Sequence, residues 1–239
     1  MIKNDALTVV YDHLLHRNLG EAIIALEAFL AVHPHQINSD RLHAIRTDLQ
    51  LITAYWQHGF KDPQLDSLYN NLLRRMYMLY ANIASNYNIR HTPYLSSMLF
   101  KVHASLRDWS PLAIKEELES FVSDVAMLEL EPSHTAESKQ KELYAKHQQQ
   151  MADLFYYILT SDLWSDTFAA GIEDILLSPT IDTVDQQQIL SSVMLSTMTF
   201  FDIAKFRTLV HVYQRATDDR VQQRALVGWA LSLNADIAH

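Results

Sequence analysis

Apolar residues recur along this chain at intervals of three and four, the period of a helix with one face turned inward. Leu42, Ile45, Leu49, Ile52 and Trp56 form one such stripe. From residue 65 there are two: Leu65, Leu68, Leu72, Met76, Leu79 and Ile83, and beside them Tyr69, Leu73, Tyr77, Tyr80, Ala84 and Tyr87. A helix apolar on two faces is packed between neighbours. Comparable segments run at about 5–16, 20–32, 95–107, 111–128, 136–160, 165–177, 184–199, 203–216 and 219–235. No run sustains the alternation and β-branched enrichment of a strand. The pattern predicts an all-α protein of nine to twelve helices.

Pro34, Pro63, Pro93, Pro111, Pro132 and Pro179 fall between these segments, where proline is tolerated, and not inside them. Asp62-Pro63 and Ser110-Pro111 read as an N-cap followed by the first helical residue, and Thr92-Pro93 as a third such pair. The longest polar stretch, Glu131 to Gln140, predicts a division into residues 1–131 and 132–239; equally, Glu137 onward suits the exposed start of a long helix.

Near the C-terminus the chain repeats itself. Gln186 to Ser196 returns 36 residues on as Gln222 to Ser232, with five of eleven positions identical, and Asp182 and Asp218 stand in register upstream. A period of this size is the mark of stacked helical hairpins, each burying its apolar face on the next. Thr183-Val184-Asp185-Gln186 has the form of a capping box, and Asp202 suits the cap of a following helix with Ile203, Phe206, Val210 and Tyr213 inward. Leu190 and Leu226 take equivalent buried places, while Gln186 and Gln222 stand at exposed helix starts. A third triplet, Gln148-Gln149-Gln150, lies 38 residues before Gln186. Residues 184–235 resemble the HEAT family of helical hairpins, which implies an α-solenoid. Leu19 to Pro34, with Ala22, Leu30 and Pro34 matching, is similar to the second helix of a tetratricopeptide hairpin. Phe29 stands where that family has a small residue, and the preceding helix lacks its tryptophan and glycine signature.

Composition narrows the chemistry more than it directs it. Cysteine is absent, so disulfides and thiolate chemistry are excluded. The four glycines lie too far apart for a nucleotide-binding loop, and no hydrolase elbow occurs. His13 and His16 are three apart, but none of the twelve histidines has zinc-ligand spacing. One Asp-x-x-His, at Asp40 and His43, cannot build a di-iron site. No catalytic residue, metal or cofactor is expected. The net charge of −9 is concentrated in residues 91–180, with 14 acids against 6 bases. No cluster of Lys and Arg points to nucleic acid. No window is long and apolar enough to span a membrane, and no signal peptide opens the chain, which suggests the cytoplasm.

These features favour a non-catalytic module that offers a helical-repeat surface to a protein or peptide. Tyr69, Tyr77, Tyr80, Tyr87 and Tyr94, with Arg74, Arg75 and Arg90 interleaved, form the richest patch of the N-terminal half, either core packing or a peptide-binding groove, with Tyr69, Arg74, Tyr77 and Tyr80 the candidate partner-binding residues. Glu116, Glu117 and Glu119 form the candidate acidic face, and the final repeat leaves a surface through which copies can associate. Two alternatives stand beside this reading: an N-terminal docking segment of a longer protein, and an enzyme with a site in a helical groove.

Overall fold

A computed structural model describes residues 4–57, 64–128, 130 and 133–233. Among these residues there are eleven helices and no strand. They divide into two compact units, Met1–Thr92 and Pro93–His239. The division by compactness falls at Thr92–Pro93. The polar stretch read as a linker includes the first turns of a long helix, where side chains from Glu137 to Glu142 are exposed to solvent. Polarity there reflects exposure. Asp62-Pro63 lies outside the described residues.

The first unit holds α1 (Asp5–Leu15), α2 (Leu19–Val32), α3 (Gln36–Gln57) and α4 (Leu65–His91). Asn4 caps α1 by accepting the Leu7 N–H at 3.2 Å. The chain reverses into α2 through Arg17, whose positive φ of 57° closes the turn. The inner stripe of α4 is buried at Leu65, Leu72, Met76, Leu79 and Ile83, while Leu68 is half exposed. Leu42, Ile45 and Ile52 of α3 and Val10, Leu26 and Leu30 of α1 and α2 complete the apolar interior.

The second unit holds α5 (Pro93–Ala104), α6 (Pro111–Leu128), α7 (Ser133–Thr160), α8 (Asp166–Leu176), α9 (Thr183–Thr199), α10 (Ile203–Arg215) and α11 (Asp219–Ser232). Helices two apart in sequence lie side by side, α5, α7, α9 and α11 in one layer and α6, α8 and α10 in the other. These are stacked helical hairpins. One core runs from Ile114 and Leu118 through Leu154, Ile172 and Leu190 to Leu209 and Ala225. Three helices of the first layer bury side chains on the same spacing: His147, Met151, Leu154 and Ile158; Asp185, Ile189, Ser192 and Ser196; Val221, Ala225, Gly228 and Ser232.

Polar ties reinforce the stack at almost the same interval. His147 Nε2 lies 3.0 Å from Asp185 Oδ1, and Ser192 Oγ donates to the Phe155 carbonyl at 2.7 Å. The Trp164 N–H donates to Asp202 Oδ2 at 2.8 Å, and His211 Nδ1 lies 2.8 Å from Glu173 Oε1. The four pairs are separated by 38, 37, 38 and 38 residues. Each bond therefore links one hairpin to the next.

Helix starts follow the caps with one change. Ser110 Oγ accepts the Ala113 N–H ahead of Pro111, as the sequence predicts. Asp182, not Thr183, caps α9 by accepting the Val184 N–H at 2.7 Å. Gln186 accordingly does not close a capping box. It is buried, and its Nε2 donates backwards to the Ser178 carbonyl at 2.7 Å. Gln222 makes the equivalent bond to the Tyr213 carbonyl at 3.1 Å. These glutamines satisfy carbonyls at the end of the preceding helix, which water would otherwise serve.

Two apolar assignments are also corrected. The buried face of α10 is Ala204, Leu209 and Val212, whereas Ile203 is exposed and Phe206, Val210 and Tyr213 lie part-way. Lys205 and Thr208 share the buried face, so counting apolar residues alone turns the helix the wrong way. Leu190 is 0% exposed but Leu226 is 36% exposed. A further helix covers α9, and no described helix covers the outer face of α11.

One glycine is dictated by close approach. A Cβ on Gly171 of α8 would lie 2.5 Å from Cβ and 2.7 Å from Cγ of Pro111, the first residue of α6. The proline ring cannot rotate away, so Gly171→Ala must push the two helices apart. Alanine's better helix propensity recovers at most about 1 kcal/mol against an overpacking cost of about 1–3 kcal/mol. A net loss in urea unfolding is expected, and it should be smaller when measured in a Pro111→Gly background, which removes both clashing carbons. Equal stability of Gly171→Ala and the parent would remove this contact from the account.

Candidate functional site

The second stripe of α4 is where the first unit shows its aromatic residues. Tyr69 is tied into the fold, since its hydroxyl donates to the Arg17 carbonyl at 2.6 Å and its ring lies 5.9 Å from that of Trp56. Tyr77 and Tyr80 sit together with ring centres 6.3 Å apart, and Tyr80 stacks on Tyr11 of α1 at 5.8 Å. Burial of the ring and the neighbouring Tyr77, Tyr11 and Asp12 push the Tyr80 hydroxyl up to about 12, and burial raises that of Tyr77 in the same direction. Both stay neutral hydrogen-bonding groups at physiological pH. Tyr77 nonetheless keeps 46% of its surface exposed, and Arg74 is exposed. The structure thus joins Tyr77 and Tyr80 to Tyr11. The Tyr11 contact depends on how α1 packs on α4, which no spacing within one helix reveals.

Further along the stripe, Tyr87 lines a pocket of about 320 Å³ formed by the C-terminal ends of α2 and α4 and the start of α3. Four rings meet there. Phe29, His33 and Tyr87 have centroids 4.6–5.7 Å apart, and His91 stacks on Tyr87 at 3.9 Å. His91 Nδ1 donates to the Tyr87 carbonyl at 2.7 Å. The Asn38 N–H donates to His35 Nδ1 at 3.4 Å, so Nε2 carries the proton of the neutral His35 ring. Arg90 also lines the pocket, and among the described residues no Asp or Glu does. Sequence reasoning missed it because the segments that build it are three separate helix ends.

In the second unit the three candidate glutamates do not share a face. Glu117 accepts from Arg107 Nη2 and Gln150 Nε2. Glu119 accepts from Thr180 Oγ1 at 2.6 Å. Glu116 is exposed. Arg107 also donates to the Gln150 carbonyl at 2.9 Å and lies over Trp109, which stacks on Tyr157 at 4.4 Å. Other acids of this region are engaged between helices: Asp174 with Lys115, Asp166 with Arg207, and Glu173 with His211. The acidity read from composition is thus partly a set of interhelical ties.

The strongest buried polar cluster is centred on Lys205. Its Nζ donates to the Ser161 carbonyl at 3.3 Å, the Asp162 carbonyl at 3.2 Å and Ser196 Oγ at 3.0 Å, and lies 3.8 Å from Asp202 Oδ2. Desolvation lowers its pKa to about 8, against the opposing pull of Asp202 and Asp162. Three acceptors around a three-proton donor describe a structural tie among α9, α10 and the segment before α8. His147 is similarly engaged, paired with Asp185 and lying flat on Phe121 at 3.5 Å. Among the described residues no group of three or more His, Cys, Asp or Glu is placed to hold a metal ion, and no helix is long and apolar enough to cross a membrane.

No protein-family model matches the chain, and neither a curated protein nor a solved structure matches it.

Proposed function

We propose that this protein is a non-catalytic, cytoplasmic helical-repeat module that binds a protein or peptide partner through its first unit. The observation that carries the reading is the exposed aromatic and basic surface of α4, where Tyr77 and Arg74 remain open beside the packed Tyr80. Aromatic and arginine side chains give large contact area for little ordering cost, which makes them anchors of binding surfaces. By contrast, the perturbed or buried polar groups Lys205, Asp202, His147 and Asp185 are engaged in bonds between helices. The alternating layers and matched buried spacings of α7, α9 and α11 support a HEAT-like reading of the second unit. The acidic balance speaks against a nucleic acid as the partner.

The test is capture from native lysate by the 239-residue chain, identification of the bound protein, and titration of that purified protein. Tyr77→Ser with Arg74→Gln is expected to weaken binding at least about tenfold, the scale of losing a single anchor. Glu116→Gln is the appropriate probe of the acidic face, since changing Glu117 or Glu119 would cut bonds within the unit. Unchanged affinity in the Tyr77/Arg74 variant would dismiss the α4 surface. A reproducible turnover abolished by one carboxylate or histidine change would replace the reading with an enzyme.

A further inference from the structure

We infer that the pocket at the end of α4 is a binding site for a small organic anion, a carboxylate carried on a flat apolar body. The proposal stands whether or not α4 also holds a protein partner. Shape comes first. At about 320 Å³ the pocket is at the small end of the range that ligand sites occupy, enough for one ring and its acid group. Phe29 is 4% exposed and anchors one wall, while His33, Tyr87 and His91 continue the aromatic lining. Rings at these separations offer a flat body edge and face contacts.

Charge then selects the ligand's sign. A cage of aromatic rings suits a quaternary ammonium when acids or open faces accompany it. Among the described residues Arg90 is the one Lys or Arg that lines the pocket, and no Asp or Glu lines it to balance a cation. The carbonyl ends of α2 and α4 oppose an anion, each by roughly half an elementary charge, and the amino end of α3 offsets one of them. The whole charge on Arg90 and the Nε2–H of His35 outweigh the remainder. Arg90 presents a planar fork matched to a carboxylate, and the Nε2–H of His35 is directed by the Asn38 bond on its other nitrogen.

The probes are N-acetylphenylalanine and its uncharged amide, titrated into the full chain and followed by backbone-amide NMR shifts and calorimetry. The acid is expected to bind with shifts centred on residues 29–38 and 83–91. The amide should bind at least roughly tenfold more weakly, as should the acid to Arg90→Gln, the scale of one hydrogen bond to a charged group. Arg90 is exposed, so the variant should keep the parent's circular dichroism and melting temperature. His91→Gln gives a second variant on the same wall. Equal binding of acid and amide, shifts elsewhere on the chain, or no binding of the acid at concentrations up to about 10 mM would overturn the proposal.

Discussion

Asp202→Ala is expected to cost about 3–5 kcal/mol, the loss seen when one partner of a buried ion pair is removed. Asp202 is 2% exposed and serves three groups: the Ala204 N–H at 2.8 Å, the Trp164 N–H at 2.8 Å, and Lys205 Nζ at 3.8 Å. Its removal leaves an ammonium buried beside neutral acceptors and uncaps α10. Asp182→Ala provides the comparison, because Asp182 caps α9 with the same chemistry but in solvent. That change should cost about 1 kcal/mol, the usual value of an exposed cap. Urea unfolding of both variants separates burial from capping. Similar losses in the two would mean that the ion pair contributes nothing beyond the cap.

The same cluster gives stability a distinctive pH dependence. The folded-state pKa of Lys205, about 8, lies below its ordinary value of 10.5. Between those values the folded protein has released the proton while the unfolded chain still binds it, so stability rises with pH across this window. From pH 8 to 10 the gain is on the order of 2 kcal/mol. Above pH 10 the raised Tyr80 acts the other way, because the unfolded chain then loses a proton that the folded protein keeps. Lys205→Met should flatten the rise between pH 8 and 10. An identical rise in that variant would assign it to other groups.

Leu190→Ala should destabilise the second unit by about 2–5 kcal/mol, whereas Leu226→Ala should cost less than about 1 kcal/mol. The two leucines occupy the same place in the repeated segment, yet one is 0% and the other 36% exposed. Cavity formation needs neighbours on all sides, and α11 lacks a described helix on its outer face. Gln186→Ala should also cost more than Gln222→Ala, because only Gln186 is fully buried with its bond to the Ser178 carbonyl. Equal losses at Leu190 and Leu226 would show that packing around the two helices is alike.

Helices were the legible part of this sequence, since the three-and-four spacing and the caps at Ser110 and Asp202 are local signals. What depends on a neighbour was harder to read. Leu226 differs from Leu190 only through what packs on it, and the face of α10 turns on the burial of Lys205, a residue type that is almost never inside unless paired. Polarity alone does not place a unit boundary, because solvent exposure at the start of α7 and a true linker leave the same polar composition. At the candidate sites, Tyr77 and Tyr80 were visible as a stripe on one helix. Tyr87 and Arg90 belong to the same patch, but the pocket they line was not visible, since its other wall comes from residues 29–38.

The four hydrogen bonds spaced 37 or 38 residues apart also bear on how the second unit yields to force. Apolar ridges alone tolerate sliding, because a helix displaced by one turn, about 5.4 Å, finds similar grooves again. Directional bonds do not, and such a displacement would disconnect His147, Trp164, Glu173 and Ser192 from their partners together. The stack should therefore flex like a leaf spring whose leaves are pinned, bending under load while its helices refuse to creep past one another.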